Sequence, residues 1–123
     1  MIKEFSSLPN RYFSQATGVK AADFIFERAS KYAPTSRFAH NWKQPSIIAR
    51  INGTSEETVI LGAHLDSISQ SFFGKMTAPG ADDDATGSMT LLEILRIVTE
   101  QGFKPKRSIE FVSWVECIDE IFC

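Results

Sequence analysis

The chain has few cysteines, no long apolar run and little net charge, and each shortage excludes a class of protein. Its two cysteines, Cys117 and Cys123, form neither a disulfide framework nor the spacing of a cysteine metal site. No segment is apolar over the length that spans a bilayer, so a membrane-embedded protein is excluded. A formal net charge of -2 gives no reason to expect nucleic acid or an acidic membrane surface as a partner.

The 123 residues have the composition of one soluble globular domain, with 43% hydrophobic and 23% charged residues. We find no internal repeat, low-complexity tract or linker, and we therefore assign residues 1–123 to a single domain. Residues 1–7 lack the apolar run of a signal peptide, so the sequence as it stands predicts no leader. It carries no signal for a particular oligomeric state.

Hydrophobic periodicity predicts that helices and strands alternate along the chain. Apolar residues at helical spacing predict a surface helix over residues 19–32 and a largely buried helix from Asp84 or Ala85 to the glycine at position 102. Strands are expected at 46–51, 58–63 and 108–115, the first two side by side, and the prolines at 34 and 45 predict an irregular stretch between them. This alternation indicates an α/β layered sheet, with ligands bound at loops beyond the strand ends.

The chemistry of the chain is concentrated between residues 59 and 87. An apolar strand leads into His64-Leu-Asp66, and a later loop carries Asp82, Asp83 and Asp84 in succession. Imidazole nitrogen and carboxylate oxygen together suit zinc or a similar divalent metal, and an acid two residues after a histidine can bond its far ring nitrogen. The sequence therefore predicts a metal site built from these two loops. His40 has no acid nearby in sequence, and we expect it to be structural.

Two other interpretations of the acidic loop stay open at this point. Three adjacent aspartates in a solvated loop can be simply a hydrophilic turn. The spacing Asp82-x-Asp84-x-Thr86-Gly87, followed by Glu93, also matches an EF-hand calcium loop. An EF-hand needs a helix entering the loop, and Pro79 and Gly80 on that side argue against one.

Five blocks of sequence, in this order, resemble the M28 family of zinc aminopeptidases, especially its secreted bacterial and fungal members of the leucine-aminopeptidase type. The blocks are Asn10-Arg-Tyr-Phe, Trp42-Lys-Gln-Pro-Ser-Ile-Ile-Ala-Arg-Ile51, Gly62-Ala-His-Leu-Asp-Ser67, Ala78-Pro-Gly-Ala-Asp-Asp-Asp-Ala-Thr-Gly87 and Lys104-Pro-Lys-Arg-Ser-Ile-Glu-Phe111. The resemblance covers residues 8–114. It implies an α/β fold in which helices sandwich a mixed β-sheet, of which this chain would form an incomplete part.

The resemblance also implies roles for individual residues. His64 would ligate one zinc ion, Asp66 would serve catalysis by orienting His64 from behind, and Asp83 would bridge two zinc ions. Such a pair of ions can activate water and polarise a peptide carbonyl, which suits removal of the first residue from a peptide with a free N-terminus. Asp82 and Asp84 would support the loop. Secretion is likewise implied by the family.

Residues 115–123 depart from the family pattern. The family has a Glu-Glu pair after the last strand, one a general base and the other a zinc ligand, and ungapped counting puts this pair at Cys117 and Ile118. Glu116 lies one place early, which in an extended strand turns a side chain to the opposite face. Two more family ligands, an acid and a histidine, would follow position 123. We therefore expect a truncated segment that is inactive alone, or alternatively a non-catalytic module that binds metal weakly or binds a protein partner.

Overall fold

The computed structural model describes residues 1–69 and 77–115. The predictions about Glu116, Cys117, Ile118 and Cys123 lie outside these residues. The helices are α1 (Ile2–Phe5), α2 (Ala16–Ala29) and α3 (Thr86–Glu100), and the strands are β1 (Thr35–Phe38), β2 (Ser46–Ile51), β3 (Thr58–His64) and β4 (Ser108–Trp114). A π-helical turn, Ala81–Ala85, precedes α3 directly.

The four strands form one mixed sheet in the order β1-β2-β4-β3. β2 is antiparallel to both β1 and β4, whereas β3 runs parallel to β4 with Val59 opposite Ile109. The predicted α/β fold and mixed sheet are confirmed. The expectation that the strands at 46–51 and 58–63 lie side by side is wrong, because α3 carries the chain back so that β4 inserts between them.

The segment between Pro34 and Pro45 is more regular than predicted. It contains β1, which pairs residue by residue with β2, from Thr35 opposite Ala49 to Phe38 opposite Ser46. Both prolines lie outside this strand, where their missing N–H groups interrupt no hydrogen bond of the sheet. The prediction of a wholly irregular stretch is therefore wrong.

The core lies between one face of the sheet and the two long helices. Side chains from α2 and α3 meet the same alternating strand residues, which are Ile47, Ala49, Phe111 and Ser113. Among the residues that the structure describes, this is the face that the helices cover. α3 is less buried than predicted, because Ile97 on its outer side is 38% exposed. α2 begins and ends three residues before the predicted helix at 19–32.

The connection β3–α3–β4 fixes the position of the acidic loop. In a parallel pair joined by a helix, the carboxyl end of the first strand and the N-terminus of the helix lie at the same edge of the sheet. His64 is the last residue of β3, and the turn at 81–85 immediately precedes α3. The fold thus brings together two loops that are separated by about twenty residues in sequence.

Candidate metal centre

Two hydrogen bonds anchor the main chain at the end of β3. Leu65 N donates a hydrogen bond to Trp114 O at 2.8 Å, which extends the pairing with β4 beyond His64. The buried Ser88, in the first turn of α3, donates from its hydroxyl to His64 O at 3.1 Å. The position of His64 is therefore fixed by both a neighbouring strand and the following helix.

Two acids contact the His64 ring from opposite sides. Nε2 lies 2.8 Å from Asp83 Oδ1, and Nδ1 lies 3.5 Å from Asp66 Oδ1. The Asp66 side chain is only 2% exposed, whereas the Asp83 side chain is 79% exposed. The ring is thus backed by a buried carboxylate and faces an exposed one, so the predicted trio of His64, Asp66 and Asp83 does come together.

The donor types in this arrangement fit a divalent metal. A tetrahedral ion with bonds of 2.0–2.1 Å to nitrogen and oxygen would hold those two atoms about 3.3 Å apart. The observed contact between His64 Nε2 and Asp83 Oδ1 is shorter by about half an ångström, so the two side chains would separate slightly around an ion. Within residues 1–69 and 77–115, no three His, Cys, Asp or Glu side chains are grouped as a metal site. The described residues thus supply two candidate ligands.

The other two aspartates have structural contacts. Asp84 Oδ1 accepts a hydrogen bond from Gly87 N at 2.7 Å, as a carboxylate at the N-terminus of a helix commonly does. The main-chain oxygen of Asp82 accepts from the Thr86 hydroxyl at 2.8 Å. Both contacts tie the acidic turn to the first turn of α3. The supporting role of these two residues stays a prediction.

The calcium-loop interpretation does not fit the structure. Residues 86–93 of the proposed loop form the first two turns of α3 instead of an open loop. Glu93, the acid that would close a calcium site, forms an ion pair with Arg96, whose hydrogen bond lowers the pKa of Glu93. The segment before the π-helical turn, residues 77–80, is not helical. An EF-hand is therefore excluded.

His40 makes a polar contact and a ring-stacking contact, as predicted for a structural histidine. Its Nε2 lies 2.8 Å from Ser46 Oγ, and its ring stacks on Trp42 with 4.6 Å between ring centroids. These contacts place it beside the start of β2, which β4 separates from β3.

Arg11 is the site residue that the sequence reasoning missed. It is fully buried, and its guanidinium donates to main-chain oxygens in both loops of the site. Burial lowers the pKa of Arg11, and the nearby Asp66, Asp84 and Asp83 oppose that shift. The available signal was the Asn10-Arg-Tyr-Phe block, which contributed to the family resemblance but was given no role.

Comparison with known proteins decides the family. The profile of peptidase family M28 matches residues 46–116, which is more than half of the chain. The chain belongs to peptidase family M28. Leucine aminopeptidase 1 of Aspergillus oryzae is 43% identical, over 89% of this chain and 32% of its own sequence. This M28 chain thus spans about a third of the length of the curated relatives it matches.

Solved structures agree with the M28 assignment. LapB from Legionella pneumophila has a TM-score of 0.80 and 27% identity, covering 94% of this chain and 33% of LapB. A Zn-dependent exopeptidase from Parabacteroides distasonis has a TM-score of 0.72, covering 94% of this chain and 46% of its own; at 19% identity it shows a shared fold. Among the described residues, no helix has the length and apolar character to cross a membrane.

Proposed function

We propose that this chain supplies part of the metal centre of a zinc aminopeptidase that removes N-terminal residues from peptides. The observation that carries the proposal is the meeting of His64 Nε2 and Asp83 Oδ1 at 2.8 Å, with Asp66 behind the ring. Membership of family M28 and the leucine aminopeptidase relatives support this chemistry. The substrate class is therefore peptides with a free N-terminus, and the relatives are consistent with secretion.

His64 and Asp83 are the proposed ligands, and Asp66 is the proposed orienting acid. A carboxylate near Nδ1 of a histidine favours the tautomer with a proton on that nitrogen, which leaves the Nε2 lone pair free for a metal. The Asp83 carboxylate is exposed, so its two oxygens could each bind one of two ions. When bound, two zinc ions would supply an activated water molecule and polarise the scissile carbonyl.

The first experiment measures Zn²⁺ binding to the purified chain by isothermal titration calorimetry. We expect the unaltered chain to bind Zn²⁺ and His64→Ala to weaken binding by at least tenfold, since one of the two described ligands is lost. Asp83→Asn should have a similar effect. His40→Ala is the matched control, because it removes the other histidine of the chain and should leave Zn²⁺ affinity unchanged.

Hydrolysis of leucine p-nitroanilide is measured in the same samples with added Zn²⁺. It distinguishes a complete aminopeptidase site from a role in supplying metal ligands alone. Turnover that is lost in His64→Ala would support a complete aminopeptidase site within these residues. Zn²⁺ binding through His64 without turnover would support the ligand-supplying role alone. Absence of Zn²⁺ binding, or binding that His64→Ala leaves intact, would overturn the proposal.

A second candidate function is a non-catalytic module that binds a protein partner. The observation in its favour is the sheet face opposite the helices, where Ile60 is 63% exposed. This function predicts that the chain has no turnover with Zn²⁺ and reproducibly binds one specific protein. A charged residue at position 60 should abolish that binding. Pull-down with the unaltered chain and Ile60→Lys in parallel tests it, and turnover by the unaltered chain would exclude it.

A further inference from the structure

The Arg11 side chain contacts both loops of the proposed metal site. In the first loop, Nε donates to Leu65 O at 2.8 Å and Nη2 lies 3.5 Å from Asp66 O. In the second loop, the guanidinium donates to Pro79 O and, at 3.1 Å, to Gly80 O, and it lies 3.5 Å from Asp83 O. One side chain therefore reaches main-chain oxygens next to His64 and on Asp83 itself.

The main chain around Arg11 joins the same two loops. Arg11 N donates to Ser67 Oγ at 3.0 Å, and that hydroxyl in turn donates to Ala78 O at 2.6 Å. Ala78 N donates to Pro9 O at 2.7 Å. The segment at 9–11 thus lies between the loops and bonds to each of them.

Most of the described loop residues that Arg11 contacts lie outside the helices and strands. Residues 65–67 and 77–80 belong to no helix or strand, so no ladder of backbone hydrogen bonds fixes one against the other. Gly80 has a φ of 50°, and an added Cβ there would lie 2.7 Å from Arg11 Nη2. The loop backbone therefore passes close against the guanidinium, at a position where only glycine fits without strain.

The guanidinium is well suited to this task. Its planar fork of five N–H donors can serve several carbonyl oxygens at once from one fixed plane, whereas a lysine ammonium is a single flexible point charge. Its own burial is offset by these carbonyl dipoles, by the nearby carboxylates of Asp66 and Asp83, and by the Phe5 ring 4.7 Å from Cζ. Removing the fork would take away the hydrogen bonds that the guanidinium donates to Leu65 O and Pro79 O.

We propose that Arg11 is a positioning residue of the metal site, whose buried guanidinium holds the His64 loop and the Asp83 loop at the separation that a metal requires. This inference rests on the proposed function of His64 and Asp83 as ligands. It extends the site to a third chain segment, far from both loops in sequence. Removing a group that orients metal ligands typically lowers metal affinity 10–100-fold.

The metal-dependent test measures Zn²⁺ affinity in Arg11→Met and Arg11→Lys. We expect each to weaken Zn²⁺ binding by at least about tenfold, at a temperature where circular dichroism shows the variant to be folded. Arg11→Lys is decisive, because it keeps the charge and loses the fork. Leu95→Ala is the control for general destabilisation, since Leu95 is buried in the core between the helices and the sheet.

A second test uses the metal-free chain and follows amide hydrogen exchange. In Arg11→Met, the Ala78 and Ala85 amides, which donate to Pro9 O and Gly80 O, should exchange at least tenfold faster. Amides within α2 should be unchanged. Because this test needs no metal, it keeps the role of Arg11 testable even if the unaltered chain binds no Zn²⁺ and the proposed function fails.

Selective loss of Zn²⁺ affinity in both Arg11 variants, with Leu95→Ala unaffected, would support the inference. Full affinity in Arg11→Lys would overturn it, because charge alone would then suffice. An equal loss in Leu95→Ala would also overturn it, since the effect would reflect global stability. Unchanged exchange at Ala78 and Ala85 in Arg11→Met would show that the loops do not depend on the guanidinium.

Discussion

Two carboxylates that touch the same imidazole have opposite surroundings, and these surroundings suit opposite tasks. Asp66 is buried against the back of the His64 ring, where it can hold the ring in one orientation without reaching solvent. Asp83 meets the other ring nitrogen on the exposed side, where an ion and a substrate can approach. The difference in burial therefore supports the proposed roles, in which Asp66 orients His64 and Asp83 is a ligand.

Asp66→Asn tests the orienting task. The amide keeps the shape of the side chain and loses the charge that favours a proton on His64 Nδ1, so Zn²⁺ affinity should fall by about 10–100-fold with the fold retained. Calorimetry checks the affinity. Asp23→Asn serves as a control, because Asp23 is an exposed acid that pairs with Arg37 of β1, at the other end of the sheet from β3. An unchanged affinity in Asp66→Asn would mean that Asp66 has only a packing role.

At the scale of the elements, α3 begins where the acidic turn ends, and the two share a capping contact. Asp84 Oδ1 accepts a hydrogen bond from Gly87 N, and the same carboxylate occupies the space that a Cβ on Gly87 would need. The absence of a side chain at position 87 therefore lets the carboxylate lie against the first turn of the helix. Glycine is unfavourable in a helix by up to about 1 kcal/mol relative to alanine, and the cap offsets a similar amount.

A double-mutant cycle separates these two terms. In the Asp84→Ala background, Gly87→Ala should raise the free energy of unfolding by up to about 1 kcal/mol, since only helix propensity is at stake. In the unaltered background it should give no gain, because the new methyl group displaces the cap. Urea denaturation measures all four proteins. Equal effects of Gly87→Ala in both backgrounds would show that the Asp84–Gly87 contact contributes nothing.

The elements differ in how far the sequence predicts them, for a physical reason. Residues 46–51 are rich in isoleucine and are followed by the Asn52-Gly53 turn, and this local signal predicts β2 with the bounds that the structure has. The insertion of β4 between β2 and β3 depends on pairing between distant segments, which periodicity does not encode. Short-range motifs predicted His64, Asp66 and Asp83 near one another, whereas Arg11 bonds to loops more than fifty residues away and carries no local signature.

At the scale of the whole molecule, the two faces of the sheet are unequal. α2 and α3 cover one face, while the other presents apolar residues, including Ile60 and the partly exposed Trp114. β3, which carries Ile60, is the last strand in the sheet order of the described residues. An apolar strand at a sheet edge is a template for pairing with another chain. We therefore expect the purified chain to self-associate as its concentration rises.

Ile60→Lys should reduce that association. A lysine on an edge strand places charge on the apolar face and opposes edge-to-edge pairing, whereas the fold loses little because Ile60 is mostly exposed. Sedimentation velocity over a range of concentrations should show large species for the unaltered chain and mainly monomer for the variant. Thr90→Lys adds the same charge at an exposed position of α3 and should leave association unchanged. If both variants reduced association equally, net charge would be the cause and the sheet face would have no special part in it.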